Sequence, residues 1–341
     1  MTSQDGSLAG SIAPVGPQKS YLSPGQIIGK YSIDETISTE GRVKVVYKAH
    51  LFLEDAGGTG PVAVKVFRLP EDISNLRTRA NLEALGGEIG PVFEREFRAM
   101  SRLSNNNLAR FLDYGAFPYP SESDPNRHLY YFVEDYIPGK PLSKVAPFND
   151  EQPAWTPQYF ANVAYVVGQV ATGLAYLHKR NMAHLDIKPA NIIITNPTNP
   201  KEGRVVTTDF THARKIFGPQ LHLQGSRLYD APEECREPPR RGTKTDIWAL
   251  GVTFYQALTG KYPFETSIHD RNWQELPDDE RERQEQELVR NILQPVDSPH
   301  MHVSSIPRTL EEVCLTMLSK TDSNRPRAQN IARTLLRFAS R

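Results

Sequence analysis

Apolar and polar positions alternate through the first part of the chain and fall at helical spacing through the rest. Between Tyr31 and Glu134 the runs "YSIDETI", "VKVVYKAHLFL", "PVAVKVFRL", "ARFLDYGAF" and "HLYYFVEDYI" are alternating or β-branched, which predicts strands. One helix interrupts them: "PVFEREFRAMSRL" has Val92, Phe93, Phe97, Met100 and Leu103 at helical spacing. Pro138 and Gly139 break the pattern. Beyond them "PQYFANVAYVVGQVATGLAYLHKR" and "DIWALGVTFYQALTG" are apolar nearly all round, as buried helices are. "PDDERERQEQELVR" reads as an exposed helix start with charge pairs four residues apart. "DPNRHLYY" and "NPTNPKEGR" carry the turn residues of hairpin connections. A β-rich first part and an α-rich second predict an α+β architecture of two lobes with a cleft between them.

Composition narrows the function. With 341 residues, 38% of them hydrophobic, the chain can build a sizeable core. Residues 1–24 are rich in Ser, Gly and Pro and are expected to form a mobile tail. Forty basic and forty acidic residues cancel, so no global field draws nucleic acid or an anionic membrane to the protein. Cys235 and Cys314 lie far apart, in no metal-binding spacing, and read as reduced thiols of a cytoplasmic protein. No apolar run is expected to reach the roughly 18 residues of a membrane span.

The chemistry concentrates in "AHLDIKPANIIIT", where Asp186, Lys188 and Asn191 precede a β-branched run, and in "VVTTDFTHAR", where Asp209 follows one. Transfer of a phosphoryl group from a nucleotide needs oxygen ligands for metal, a carboxylate near the acceptor hydroxyl and a cation on the moving phosphate. These four residues can supply that set from two loops joined by a hairpin-like stretch.

At these positions the chain resembles the protein kinase superfamily. "HLDIKPAN" is similar to the HRDxKxxN catalytic loop, "DFT" to DFG and "VAVK" (Val62 to Lys65) to the VAIK strand. "APE" (Ala231 to Glu233), "DIWALGVTFYQALTGKYPF" and "SNRP" follow in family order, and Arg325 of the last is expected to pair with Glu233. The resemblance implies a bilobal protein kinase-like fold over residues 25–338, with an N-lobe to about 134, a hinge at about 135–140 and a C-lobe from about 141. It implies ATP and Mg²⁺ as cofactors and a protein Ser/Thr hydroxyl as acceptor, since Lys188 follows Asp186 by two as in Ser/Thr kinases.

Position by position, the resemblance assigns Lys65 to the α and β phosphates, with Glu96 as its partner and Glu94 as the nearby rival. Asp186 orients the acceptor, Lys188 neutralises the transferring phosphoryl, and Asn191 and Asp209 hold the metal. Gly41 remains of the phosphate-covering glycine loop. Val46, Ala63 and Ile193 fall where adenine is sandwiched, and backbone groups of Asp135 and Ile137 where its edge is bound. Glu134 stands in the position that precedes the hinge, usually apolar or Thr, where a buried carboxylate must find a donor or reach water.

Three departures matter. "TEGRVK" keeps one glycine of GxGxxG, Thr211 replaces the glycine of DFG, and Leu185 replaces the arginine before the catalytic aspartate. That arginine ordinarily receives an activation-loop phosphate, and "HARKIFGPQLHLQG" (His212 to Gly225) offers no Ser, Thr or Tyr. A non-RD enzyme, not switched by phosphorylation within that loop, is expected; a pseudokinase scaffold is the alternative, and a kinase acting on a small molecule is a third reading.

Overall fold

The computed structural model describes residues 20–39, 44–52, 60–67, 100–120, 125, 128–149, 151, 153–210, 214–215, 227–236, 238–266, 268 and 277–341. Two compact units result: Met1–Asp72 with Gly115–Phe132, and Ile73–Tyr114 with Val133–Arg341.

Strands β1 (Ile27–Ile28), β2 (Tyr31–Ser38), β3 (Lys44–Leu51), β4 (Val62–Phe67), β5 (Phe111–Pro118) and β6 (His128–Asp135) form one sheet in the order β1-β2-β3-β4-β6-β5. The register explains how period-two patterning sorts its faces. Val45 pairs with Val66, Tyr47 with Val64 and Ala49 with Val62, and these side chains are buried together. The alternate pairs, Val46 with Lys65 and Lys48 with Ala63, lie on the opposite face. On that face Lys65 is buried with its ammonium 5.5 Å from the Phe132 ring centroid.

The expected mobile tail is too long. Tyr21 and Leu22 are buried, and their N–H groups donate to the buried hydroxyl of Tyr47 at 2.9 and 3.3 Å. Two apolar side chains and a shared acceptor hold this segment to the sheet despite the low-complexity sequence around it. Residues 1–19 lie outside the described residues, as does the expected helix before Met100.

The second unit is built on α1 (Pro157–His178) and α2 (Thr243–Thr259). Thr156 caps α1 by accepting the Tyr159 N–H at 3.1 Å, and Pro157 occupies the first helical position, where no N–H is needed. Contrary to the sequence expectation, α1 is long and apolar enough to cross a membrane by length and composition, but 61% of its apolar window is buried inside the protein. Its main partner is α5 (Ala328–Ala339), reached after α3 (Asp278–Leu293) and α4 (Arg308–Met317). Gly168 lets the two approach: a Cβ there would lie 2.9 Å from Leu336 Cδ2. Helix α2 is buried from Thr245 to Thr259 and stops at Gly260, whose φ of 72° is the left-handed helix end that glycine provides. Helix α3 buries Leu288 and Ile292 and leaves much of its charged surface to solvent, as its sequence predicts.

Short strands complete the unit. β9 (Ile192–Ile194) pairs with β10 (Val205–Thr207) and with β7 (Lys140–Pro141), and β8 (Met182–Ala183) with β11 (Arg214–Lys215), all antiparallel. "NPTNPKEGR" is indeed the β9–β10 connection. The sheet-rich and helical units are those of the α+β class.

Candidate active site

β8 and β9 flank the loop that carries Asp186, Lys188 and Asn191, and β10 leads to Asp209. The loop is held from below by one buried acid. Asp246, in the first turn of α2, accepts the N–H of His184 at 2.9 Å, the N–H of Leu185 at 2.7 Å and a contact from His178 Nε2 at 2.8 Å. An acid there also meets the positive end of the helix dipole. Leu185 has a φ of 62°, a left-handed conformation that costs a β-carbon residue about 1–2 kcal/mol. The bond to Asp246 holds it in place, and the turn delivers Asp186 to the site.

Asp186 is 7% exposed and both its oxygens are engaged: Oδ1 accepts from Lys188 Nζ at 2.9 Å and Oδ2 from Asn191 Nδ2 at 2.8 Å. Asn191 Nδ2 also donates to the Asp186 carbonyl at 2.8 Å. With its amide nitrogen committed to Asp186, Asn191 has its Oδ1 to offer a cation. His184 is wholly buried, and burial pushes its imidazole pKa down, so the ring is neutral. Its Nε2 lies 3.2 Å from the Thr208 carbonyl and its Nδ1 3.4 Å from the Asp186 N–H, which fits a proton on Nε2.

The strand that precedes Asp209 is tied on both sides. Thr207 donates to the Asn107 carbonyl at 2.8 Å and accepts from the Ala109 N–H at 2.9 Å, and the Thr208 N–H reaches the Asn191 carbonyl at 2.9 Å. This last bond joins the two candidate metal-binding segments directly. Asp209 has a φ of 69°, and Phe210 packs its ring 5.0 Å from that of His184. Glu134 is buried at 2% exposure and finds a donor: its Oε2 accepts the Asp209 N–H at 3.3 Å.

The other expected site residues divide by unit. Lys65, Ala63 and Val46 share a sheet face in the first unit. In the second, Ile137 is buried and Ile193 half-buried, and Gly139 permits β7 to reach β9, since a Cβ there would lie 2.5 Å from the Ile194 carbonyl oxygen. The Asp135 N–H donates to the Arg110 carbonyl at 3.0 Å. Gly41, Glu96, its rival Glu94 and Thr211 lie outside the described residues, as does the His212–Gly225 segment apart from Arg214 and Lys215.

Sequence reasoning anticipated the Glu233–Arg325 pair, which forms two bonds of 2.7 Å in the interior. It missed Asp246 as the anchor of the catalytic loop. The signal was available, an acid opening a helix that is otherwise apolar. It also missed the small polar pocket beside Asp186, lined among others by Leu185, Asp230, Glu234 and Arg241.

No cluster of three His, Cys, Asp or Glu side chains among the described residues forms a closed metal cage. Asn191 and Asp209 offer the hard oxygens that suit Mg²⁺, an ion that completes its shell with water and substrate phosphate.

Comparison with known proteins agrees with this geometry. The family model for the protein kinase domain matches residues 45–335. The chain belongs to the protein kinase family. It is 30% identical over 250 residues to a probable serine/threonine-protein kinase of Clostridium perfringens, covering 70% of this chain and 30% of the relative. It is 27% identical over 244 residues to serine/threonine-protein kinase PrkC of Bacillus subtilis, covering 70% and 32%. The plant kinase GRIK1 of Arabidopsis thaliana is 30% identical over 205 residues, covering 59% and 46%. The chain thus spans about a third of the length of the bacterial relatives it matches.

Proposed function

We propose that the protein transfers the γ-phosphoryl group of Mg·ATP to serine or threonine hydroxyls of a protein substrate. The observation that carries this reading is the Asp186 carboxylate, buried, aimed by Lys188 and Asn191, and delivered by a left-handed turn anchored on Asp246. Such a carboxylate orients the acceptor hydroxyl and takes its proton as the new oxygen–phosphorus bond forms and the bond to the ADP oxygen breaks. Lys188, on the same carboxylate, offsets the charge of the moving phosphoryl. Asn191 and Asp209 would hold the magnesium, which supplies charge neutralisation and orientation of the phosphate oxygens. By the resemblance to the family, Lys65 would serve the α and β phosphates with Glu96 as its partner, Gly41 would cover them, and Val46, Ala63, Ile193, Asp135 and Ile137 would receive the adenine. The cytoplasm, where ATP is abundant and thiols such as the free Cys235 and Cys314 stay reduced, is the proposed compartment.

The enzyme is of the non-RD type and is not switched by phosphate within His212–Gly225. Two features support this. Leu185 brings no charge to the site, and the nearby arginines are engaged with acids: Arg227 with Asp230 and Glu285 at 3.3 and 3.4 Å, and Arg241 with Glu234 at 2.7 Å.

The test is transfer of labelled γ-phosphate to the protein itself and to a generic protein acceptor, with Asp186→Asn beside the wild type. Loss of the aspartate should cost about 10²–10⁴ in rate. Equal rates in both proteins would mean contamination and would turn the reading toward a scaffold.

A further inference from the structure

We propose that Glu134 is a positioning residue for Asp209, its buried carboxylate selecting the backbone conformation in which Asp209 presents its side chain to the cation. The inference rests on the reading of Asp209 as a magnesium ligand and adds a residue to that site. Asp209 is one of three non-glycine residues with positive φ among the described residues, at 69°. An aspartate held there costs about 1–2 kcal/mol and needs a partner that the extended alternative would lose.

The neighbouring residues are fixed by other groups. Thr208 is held at its N–H by Asn191 and at its carbonyl by His184, and Phe210 by its ring against His184. The Asp209 N–H itself goes to Glu134 Oε2 at 3.3 Å. This N–H is the one main-chain donor of the residue, and rotation of Asp209 out of its left-handed state turns it away from Glu134. For Glu134 the same bond helps satisfy a carboxylate that is 2% exposed and would otherwise be costly to bury. Each group therefore stabilises the placement of the other. An apolar side chain in that position fills the space and supplies no acceptor, so it leaves the Asp209 peptide without this restraint.

Glu134→Met, close in length and apolar, and Glu134→Gln, which keeps an acceptor oxygen, test the idea with two readouts. The first is hydrogen exchange of the Asp209 amide in protein without nucleotide. The second is ATP affinity by calorimetry across a Mg²⁺ titration. In the methionine variant exchange should rise about tenfold, and the Mg²⁺ concentration for half-saturation should rise by a similar factor, the loss of one bond to a charged acceptor. Affinity for ATP without Mg²⁺ should stay within about twofold, which general damage to the fold would not spare. The glutamine variant, with a neutral acceptor of about half the strength, should shift both readouts by about two- to threefold.

Unchanged exchange at Asp209 in the methionine variant overturns the proposal, and so does faster exchange with an unchanged Mg²⁺ requirement. Should the methionine variant not fold, the glutamine variant decides alone: a two- to threefold rise in exchange supports the proposal and no rise overturns it. Wild-type protein that binds no Mg·ATP fails the kinase reading, and with it the role toward the cation. The exchange data keep that outcome separate from failure of the Glu134 anchor.

Discussion

Two arginines in the second unit each clasp a carboxylate through two guanidinium nitrogens, and they differ in almost everything else. Arg325 holds Glu233 in the interior, its side chain 0% exposed, with the indole of Trp248 5.1 Å below the guanidinium carbon. It also donates to the carbonyls of Ser319 and Lys244. Arg110 holds Asp135 at the end of β6 with its side chain 63% exposed. Geometry is similar, and environment decides the energy. In the interior neither charge can turn to water, so each depends on the other; at the surface water replaces either partner at small cost. The first pair therefore fixes where the APE segment lies, whereas the second adds little beyond alignment of the strand.

The largest effect should follow from Arg325→Leu, which leaves Glu233 buried and unpaired. A loss of about 3–5 kcal/mol is expected, read as a shift of the urea midpoint. Replacing Glu233 by methionine as well should recover most of that loss, because the unpaired charge goes with it. If the double variant is as unstable as the single one, the interior pair is needed for more than mutual neutralisation.

Next comes Asp246→Asn, which weakens the acceptor for His184, Leu185 and His178 together. About 1.5–3 kcal/mol of stability should be lost, and phosphoryl transfer should fall as Asp186 loses its anchored turn. Retained activity in a destabilised protein would separate the anchor from the chemistry.

A smaller effect concerns Lys320, whose ammonium lies 4.7 Å from the Trp248 centroid, on the same ring as Arg325. Burial first, and Arg325 second, bring its pKa down to about 8. The unfolded side chain titrates near 10.4. Below about pH 8 both states are protonated and the cost of burying the charge is present in full. Between about 8 and 10.4 the unfolded chain binds more protons, so this group makes stability rise with pH. The difference in melting temperature between wild type and Lys320→Met should therefore change across that window and stay flat below it. Arg110→Ala should do least: under about 1 kcal/mol, shrinking further in high salt. A loss as large as that of Arg325 would erase the contrast between the two pairs.

Much of this was legible in the sequence, and the limits have physical causes. Period-two runs located β2 to β6, and all-round apolar runs located α1 and α2, because those patterns are set by which faces are buried. The Asp186, Lys188 and Asn191 set was legible because one short loop carries it. Asp246 was harder, since two of its partners are backbone N–H groups 62 and 61 residues away in sequence and adjacent only in space. For Glu134 the sequence posed the problem of a buried acid without naming its donor, which is again a main-chain group. Tyr21 and Leu22 were lost in the average composition of their surroundings. In α1 the polar Gln158, Asn162, Gln169 and Thr172 interrupt the apolar run, so no unbroken stretch reaches membrane length although the helix on average is apolar enough to span. Glu96, Gly41 and Thr211 lie outside the described residues, so their assignments rest on the sequence alone.

The packing of α1 against α5 has a consequence for synthesis on the ribosome. A helix apolar enough to suit a lipid bilayer is complete once Pro157–His178 has been made, while the helix that covers it appears only when Ala328–Ala339 has been made. At roughly 5–20 residues per second the wait is on the order of ten seconds or more. During that interval the face of α1 that α5 covers lacks its partner, which makes it a stretch for chaperones to engage.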